Sequence, residues 1–141
     1  MLNKIPKILS SELLKLMMDM GHGDELVIGD GNFPAVAMGV PVVHLDGHGV
    51  PEVLEAILEL FPLDPYVPQP VALMDVVPGD TIVPVIWDTY KKILRDSGDT
   101  TEPEMMERYA FYERAKKAFC IVATSEPAQY ANIILKKGIV K

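Results

Sequence analysis

The chain has 141 residues, 49% of them hydrophobic, a formal charge of −7 at pH 7 and a single cysteine. That length suits one domain with a proper core. The acidic balance argues against nucleic acid, because phosphate binding needs a basic face and a compact basic pair such as Lys136-Lys137 does not make one. No apolar run approaches the roughly 20 residues of a bilayer span, so no membrane partner is expected. The first residues include Pro6 and lack an apolar core followed by small residues, which is not the form of a secretory signal; a cytoplasmic setting is expected. The high apolar content favours burial against other subunits. Cys120, inside Phe119-Cys120-Ile121-Val122-Ala123, reads as a buried, reduced thiol with no catalytic role.

Ser10 or Ser11 can cap a helix reaching about Met20, with Leu13, Leu14, Met17 and Met18 on one face; Gly21 ends it. Leu26-Val27-Ile28 is then a short buried strand, followed by the loop Gly29 to Pro34. Val40 to Leu45 reads as a second strand, broken by Asp46-Gly47. Val50 to Phe61 has Val53, Leu54, Ile57 and Leu60 at helical spacing, with Pro51 suited to the first turn. The proline-dense stretch Pro62 to Pro70 is a stiff internal crossover, since neither flank is large enough to stand alone. Val71 to Met74 is a third strand, Pro84 to Arg95 a helix containing Trp87, and Ser97 to Thr101 a polar loop. A helix within Arg108 to Ala118 feeds the strand Phe119 to Ala123, and the apolar run Ile133-Ile134-Leu135 forms a last buried strand. Strands alternating with helices, several apolar on both faces, predict a single-domain α/β three-layer sandwich with a largely parallel or mixed central sheet. Gly21-His22-Gly23 precedes a strand and lacks both a third glycine and a following helix, so it is no dinucleotide fingerprint.

His22 has two readings. It is either a helix-end histidine bonding the last carbonyls or, with glycines on both sides, an accessible acid/base. In the second reading the strand after it delivers Asp30 to the same mouth of the sheet. Asp30 and Asn32 are otherwise ordinary turn residues, Arg108 is a candidate ion-pair partner of Glu104, and Tyr109, Phe111 and Tyr112 are core or half-buried helix residues. His44, Asp46 and His48 have the period-two spacing that turns alternate strand residues the same way, which is the one metal alternative; Gly47 interrupts it.

Several segments taken in order resemble one family, the small sugar-anomer isomerases of the L-fucose mutarotase and D-ribose pyranase type. They are Gly21-His22-Gly23-Asp24 with Asp30 and Phe33-Pro34, then Asp46-Gly47, then Arg108 to Ala115, then Tyr130-Ala131-Asn132 through Gly138. The resemblance covers nearly the whole chain and implies an α/β fold with His22 as proton donor. It implies further that Asp30, Arg108, Tyr130, Ala131 and Asn132 bind the sugar, in ring-like homo-oligomers, often decameric, with sites shared between subunits. Arginine at position 108 resembles the fucose branch, where the ribose branch has histidine. Two positions depart: Ala131 stands where the fucose branch usually has glycine, and Gly31 where alanine is common.

The implied chemistry suits these residues. Exchange of α and β anomers opens a hemiacetal and closes it on the other face, so a group titrating near neutrality serves both directions. No cofactor or metal is demanded. The expected function is interconversion of the anomers of L-fucose or a related monosaccharide. Ribose pyranose–furanose exchange and a non-catalytic monosaccharide-binding subunit are the alternatives.

Overall fold

The computed structural model describes all residues, Met1–Lys141. Six strands form one sheet: β1 (Glu25–Gly29), β2 (Val42–Leu45), β3 (Val71–Met74), β4 (Glu104–Met106), β5 (Cys120–Thr124) and β6 (Ile133–Lys136), in the order β2-β5-β1-β6-β3-β4. The pairs β2–β5, β5–β1 and β3–β4 are parallel, while β6 runs antiparallel between β1 and β3. The sheet is therefore mixed, with one reversed strand at its centre.

Both faces are covered, which explains why the strands read as continuous apolar runs. Leu26 and Ile28 of β1, Leu73 of β3, Val122 of β5 and Ile133 of β6 face α1 (Ser11–Asp19), α2 (Val50–Leu58) and α3 (Ile86–Asp96). Their neighbours Val27, Ala72, Ile121 and Ile134 face α4 (Arg108–Ala115) and the short 3₁₀ turn Val36–Met38. This period-two alternation makes the three layers. Each fully buried Leu or Ile among them contributes about 1.5–3 kcal/mol relative to exposure. Cys120 is part of the first core, and burial pushes its thiol up to about 12.

The helix starts follow local chemistry. The Ser10 hydroxyl accepts the Leu13 N–H at 3.2 Å, so Ser10 is the cap of α1. The Glu107 carboxylate accepts the N–H groups of Tyr109 and Ala110, which starts α4 at Arg108. α2 stops at Leu58 rather than Phe61, and α3 starts at Ile86 rather than Pro84. β2 begins at Val42, after Pro41, which has no N–H to give the ladder but accepts the Ile121 N–H at 2.9 Å. β4 was not expected from the sequence. It is a three-residue edge strand beside β3 whose Glu-Met-Met has no strand propensity; Arg114 of α4 grips its Glu104 at 2.6 Å.

No helix is long and apolar enough to cross a membrane. The stretch Pro62 to Pro70 is the crossover from α2 to β3, and Leu63 within it bridges to Lys137 just beyond β6.

Candidate active site

The chemistry-bearing residues collect at the two ends of β1 and β6. Asp30 follows the last residue of β1, and Asn132 precedes the first residue of β6, its antiparallel neighbour. The Asp30 N–H donates to Asn132 Oδ1 at 2.8 Å, and the Asp30 carboxylate accepts the N–H groups of Asn32 at 3.0 Å and Ala131 at 3.4 Å. Both side chains are buried. Burial raises the Asp30 carboxyl above the usual carboxylate range; the amides of Asn32, Ala131 and Phe33 oppose the shift, and the nearby Glu126 carboxylate adds to it.

Arg108, on the first turn of α4, reaches the same place. Its Nε donates to the Tyr112 hydroxyl at 3.1 Å, and its guanidinium carbon lies 5.4 Å from the ring centres of both Tyr109 and Tyr112. The ion pair anticipated with Glu104 does not form, because Glu104 belongs to Arg114. Phe111 is core, Tyr112 half-buried and Tyr109 exposed.

Tyr130 sits in the left-handed region at φ 57°, a conformation that costs a non-glycine residue about 1–2 kcal/mol. Its surroundings hold it there. Trp87 Nε1–H donates to the Tyr130 carbonyl at 2.7 Å, and the Tyr130 hydroxyl donates to Asp80 Oδ2 at 2.5 Å. The positive φ thus falls at Tyr130 and not at Ala131, so alanine where glycine is usual carries no backbone strain. Ala131 is fully buried, with its N–H on Asp30 and its carbonyl accepting the Tyr90 hydroxyl at 2.7 Å.

Asp30, Arg108, Tyr112, Tyr130 and Asn132 share one cavity of about 290 Å³. Larger hollows of about 570, 400 and 590 Å³ are present too, the last of them adjoining this cavity through Asp30 and Phe33. The smaller one is singled out by its chemistry, since a carboxylate, a carboxamide, a guanidinium and two phenols converge on it. Ala131 lies behind its wall rather than on it.

His22 is not there. It lies in the turn before β1, whereas Asp30 lies after β1, and five residues of strand at ~3.3 Å each separate them by about 15 Å. The expectation that both share one mouth of the sheet is corrected within a single chain: a strand that delivers Asp30 must also carry it away from His22. Nor does the imidazole bond the end of α1. Its Nε2 lies 3.0 Å from Oδ1 of Asp64, whose side chain is only 4% exposed, while the His22 side chain is 45% exposed. Tyr66 stands beside the ring at 5.5 Å between centres. Burial works against the Asp64 carboxylate, but the Tyr66 N–H, the imidazole and Lys136 outweigh it and hold the group below the usual range.

Nothing in the sequence singles out Asp64 or Asp80, which bond His22 and Tyr130. Asp64 is 42 positions from His22 and sits among prolines that read only as a connector. The histidine pair at the end of β2 does not converge: His44 Nδ1 is 3.9 Å from Asp46, while the turn at Gly47 (φ 84°) sends His48 onto Glu52 of α2 at 3.1 Å.

The model of the RbsD / FucU transport protein family matches residues 3–140. The chain belongs to that family. Within it, the chain is 49% identical to the fucose mutarotase of Danio rerio over 99% of its own length and 94% of the relative. A solved fucose mutarotase from Streptococcus pneumoniae in complex with L-fucose superposes with TM-score 0.95 at 48% identity, covering 99% of this chain and 100% of that one. RbsD of Bacillus subtilis, solved with D-ribose, shares the fold at TM-score 0.72 with 23% identity, covering 94% and 95% of the two chains. The chain therefore stands on the fucose mutarotase side of the RbsD / FucU family.

Proposed function

We propose that the protein is a sugar mutarotase that interconverts the α and β anomers of L-fucose or a close relative, without a cofactor. The observation that carries this reading is the polar cavity of Asp30, Arg108 and Asn132, in a chain similar from end to end to a fucose mutarotase solved with L-fucose.

Asp30 accepts from sugar hydroxyls with the lone pairs its internal amides leave free. Asn132 donates through Nδ2, whose one protein neighbour is the weak Met74 sulfur at 4.0 Å. Arg108 donates through its two terminal nitrogens, its Nε being held by Tyr112. Tyr130 and Tyr112 present rings to the apolar face of the pyranose, and Ala131 supports the sugar indirectly through its N–H on Asp30. A hydroxyl of the wrong configuration leaves buried Asp30 or Asn132 unpaired, at about 1–3 kcal/mol each.

His22 is the acid/base. A proton leaves the anomeric hydroxyl, the bond from C1 to the ring oxygen breaks, and a proton reaches the ring oxygen; closure on the other face of the carbonyl reverses these steps. Charge balances at each end, and one imidazole, able to take up and return a proton, serves both transfers.

One chain cannot bring His22 to a sugar held by its own Asp30 across about 15 Å of strand. The site is therefore shared in a homo-oligomer, His22 of one copy facing the cavity of the next. Exposed Ile82, Val83, Val85 and Tyr109 supply apolar surface for such contacts. The test is anomer exchange on L-fucose by saturation-transfer NMR. His22→Ala is expected to lower the catalysed rate by about 10²–10⁴-fold, as is Asp30→Ala in its own right, whereas oligomers assembled from both variant chains together recover part of the activity. Unchanged exchange in His22→Ala removes the proposed acid/base; no recovery in the mixture removes the shared site; faster exchange on D-ribose reverses the substrate order.

A further inference from the structure

Glu126 is a buried carboxylate, 8% exposed, that the proposed reaction does not use. It follows β5 and stands where three segments meet at the Asp30 end of the sheet. Its Oε1 accepts the Val50 N–H and its Oε2 the Ala128 N–H, each at 3.1 Å, and its main-chain carbonyl accepts the Gly31 N–H at 2.8 Å. Val50 opens α2, Gly31 follows Asp30, and Ala128 leads into Tyr130-Ala131-Asn132. One residue thus ties both segments that hold the sugar to the start of a helix. Its neighbours leave room for it: a Cβ on Gly49 would stand 2.9 Å from Oε1, and one on Gly31 3.1 Å from the Glu126 carbonyl oxygen. Gly49 has no side chain with which to cap α2, so the cap oxygen comes from Glu126. A carboxylate suits that place, because two N–H groups need two acceptor oxygens and a helix start carries partial positive charge.

Behind the cavity this leaves two buried carboxylates, Glu126 and Asp30, while every ion pair of the chain lies elsewhere. Asp30 is raised by burial and, in addition, by the Glu126 charge. Tyr90 of α3 senses both, since burial first and then the charges of Glu126 and Asp30 push its phenol up. The other titratable groups around the pair are Arg108 and Tyr112 of α4, Tyr130, His44 and Asp46 at the end of β2, and His48 and Glu52 at the start of α2. We propose that Glu126 is a positioning residue for the sugar pocket, locking the Asp30 loop and the Tyr130-Ala131-Asn132 segment into one acceptor surface and backing Asp30 with a second negative charge. This rests on the Asp30 cavity being the sugar site. Glu126 itself touches no sugar, since it lies behind the cavity wall.

The test is L-fucose affinity against pH, by calorimetry on the assembled protein. Protonation of Asp30 removes an acceptor, so wild-type affinity falls on acidification. In Glu126→Gln the neighbouring charge is gone and Asp30 ionises more readily, so that fall is expected at lower pH than in the wild type. The amide oxygen can also serve only one of the two N–H groups. Affinity at neutral pH is therefore expected to drop roughly 10-fold or more, with kcat at saturating sugar within about twofold because His22 lies at the other end of β1. An unmoved acid limb, or unchanged affinity at neutral pH, overturns the proposal. Should Glu126→Gln fail to fold, ¹³C titration of the two carboxyls in the wild type, without sugar, decides. Each carboxyl is expected to respond to the ionisation of the other; independent single steps overturn the proposal. A wild type whose carboxyls respond to one another but which binds no L-fucose instead sinks the functional reading and leaves the geometry standing, so the two failures are told apart.

Discussion

The two ends of β1 are built on opposite principles. At the Asp30 end the polar groups are bonded chiefly to one another: buried Asp30 to buried Asn132 and the Ala131 amide, half-buried Tyr130 to Trp87 and exposed Asp80, Ala131 to Tyr90. At the His22 end a half-exposed ring is held by a single buried carboxylate. A pocket whose buried acceptors are fixed by one another distinguishes hydroxyls, because its geometry does not adjust to a wrong one. A ring anchored at one nitrogen and open at the other is suited to reach outward into someone else's pocket. Under the proposed function, specificity and proton transfer fall to separate ends of one fold, and assembly of copies would bring them together.

The sharpest way to break this division is at the pocket end. Arg108→Leu removes two free nitrogen donors and the stack over Tyr112 without touching His22, some 15 Å away along β1. L-Fucose binding measured by calorimetry is expected to weaken by about 10- to 100-fold, in keeping with roughly 1.5–3 kcal/mol for a charged hydrogen bond, while the ¹⁵N shifts of His22 stay put. Movement of those shifts would mean that the two ends are coupled within a chain and that the division is wrong.

The opposite end is broken with Gly138→Ala. The added methyl has no room against Leu63 and Asp64, so the connector must shift, at about 1–3 kcal/mol of stability. The displaced carboxylate then loosens His22. Thermal unfolding is expected to fall modestly and kcat to fall with it, while L-fucose affinity is retained. Loss of affinity in place of kcat would show that Gly138 serves the pocket instead.

The sheet was legible because its strands are short, apolar and buried on both faces, and α1 was legible from Ser10 and its Leu13–Met17 stripe. β4 was not: an edge strand of three residues held by one parallel neighbour and by Arg114 leaves no periodicity to read. The sequence offers Asp30, Arg108, Tyr130 and Asn132 as a set but not their distance from His22. Adjacency in sequence across a strand is not adjacency in space, because a strand separates what it joins. The Asp64 contact spans 42 positions and depends on the register of residues 136–138 against two separate segments. Only tertiary pairing creates it.

The smallest expected effect separates the two ends by sign. Asp64 is held below its ordinary range, so its contribution to folding is present above the unfolded value of about 3.9 and is lost as pH falls through its lower folded value. Asp30 is raised, chiefly by burial, so its contribution is fully present below the unfolded value and is lost as pH rises through its higher folded value. Thermal melts of the wild type against Asp64→Asn should therefore converge on acidification, with most of the change below about pH 4. Melts against Asp30→Asn should move the other way, the wild type losing ground to the variant as pH rises from about 4. Equal signs at the two positions would mean that the carboxylates sense the same environment, and the contrast between a carboxylate tuned to stay ionised beside an imidazole and one desolvated to receive neutral hydroxyls would fail.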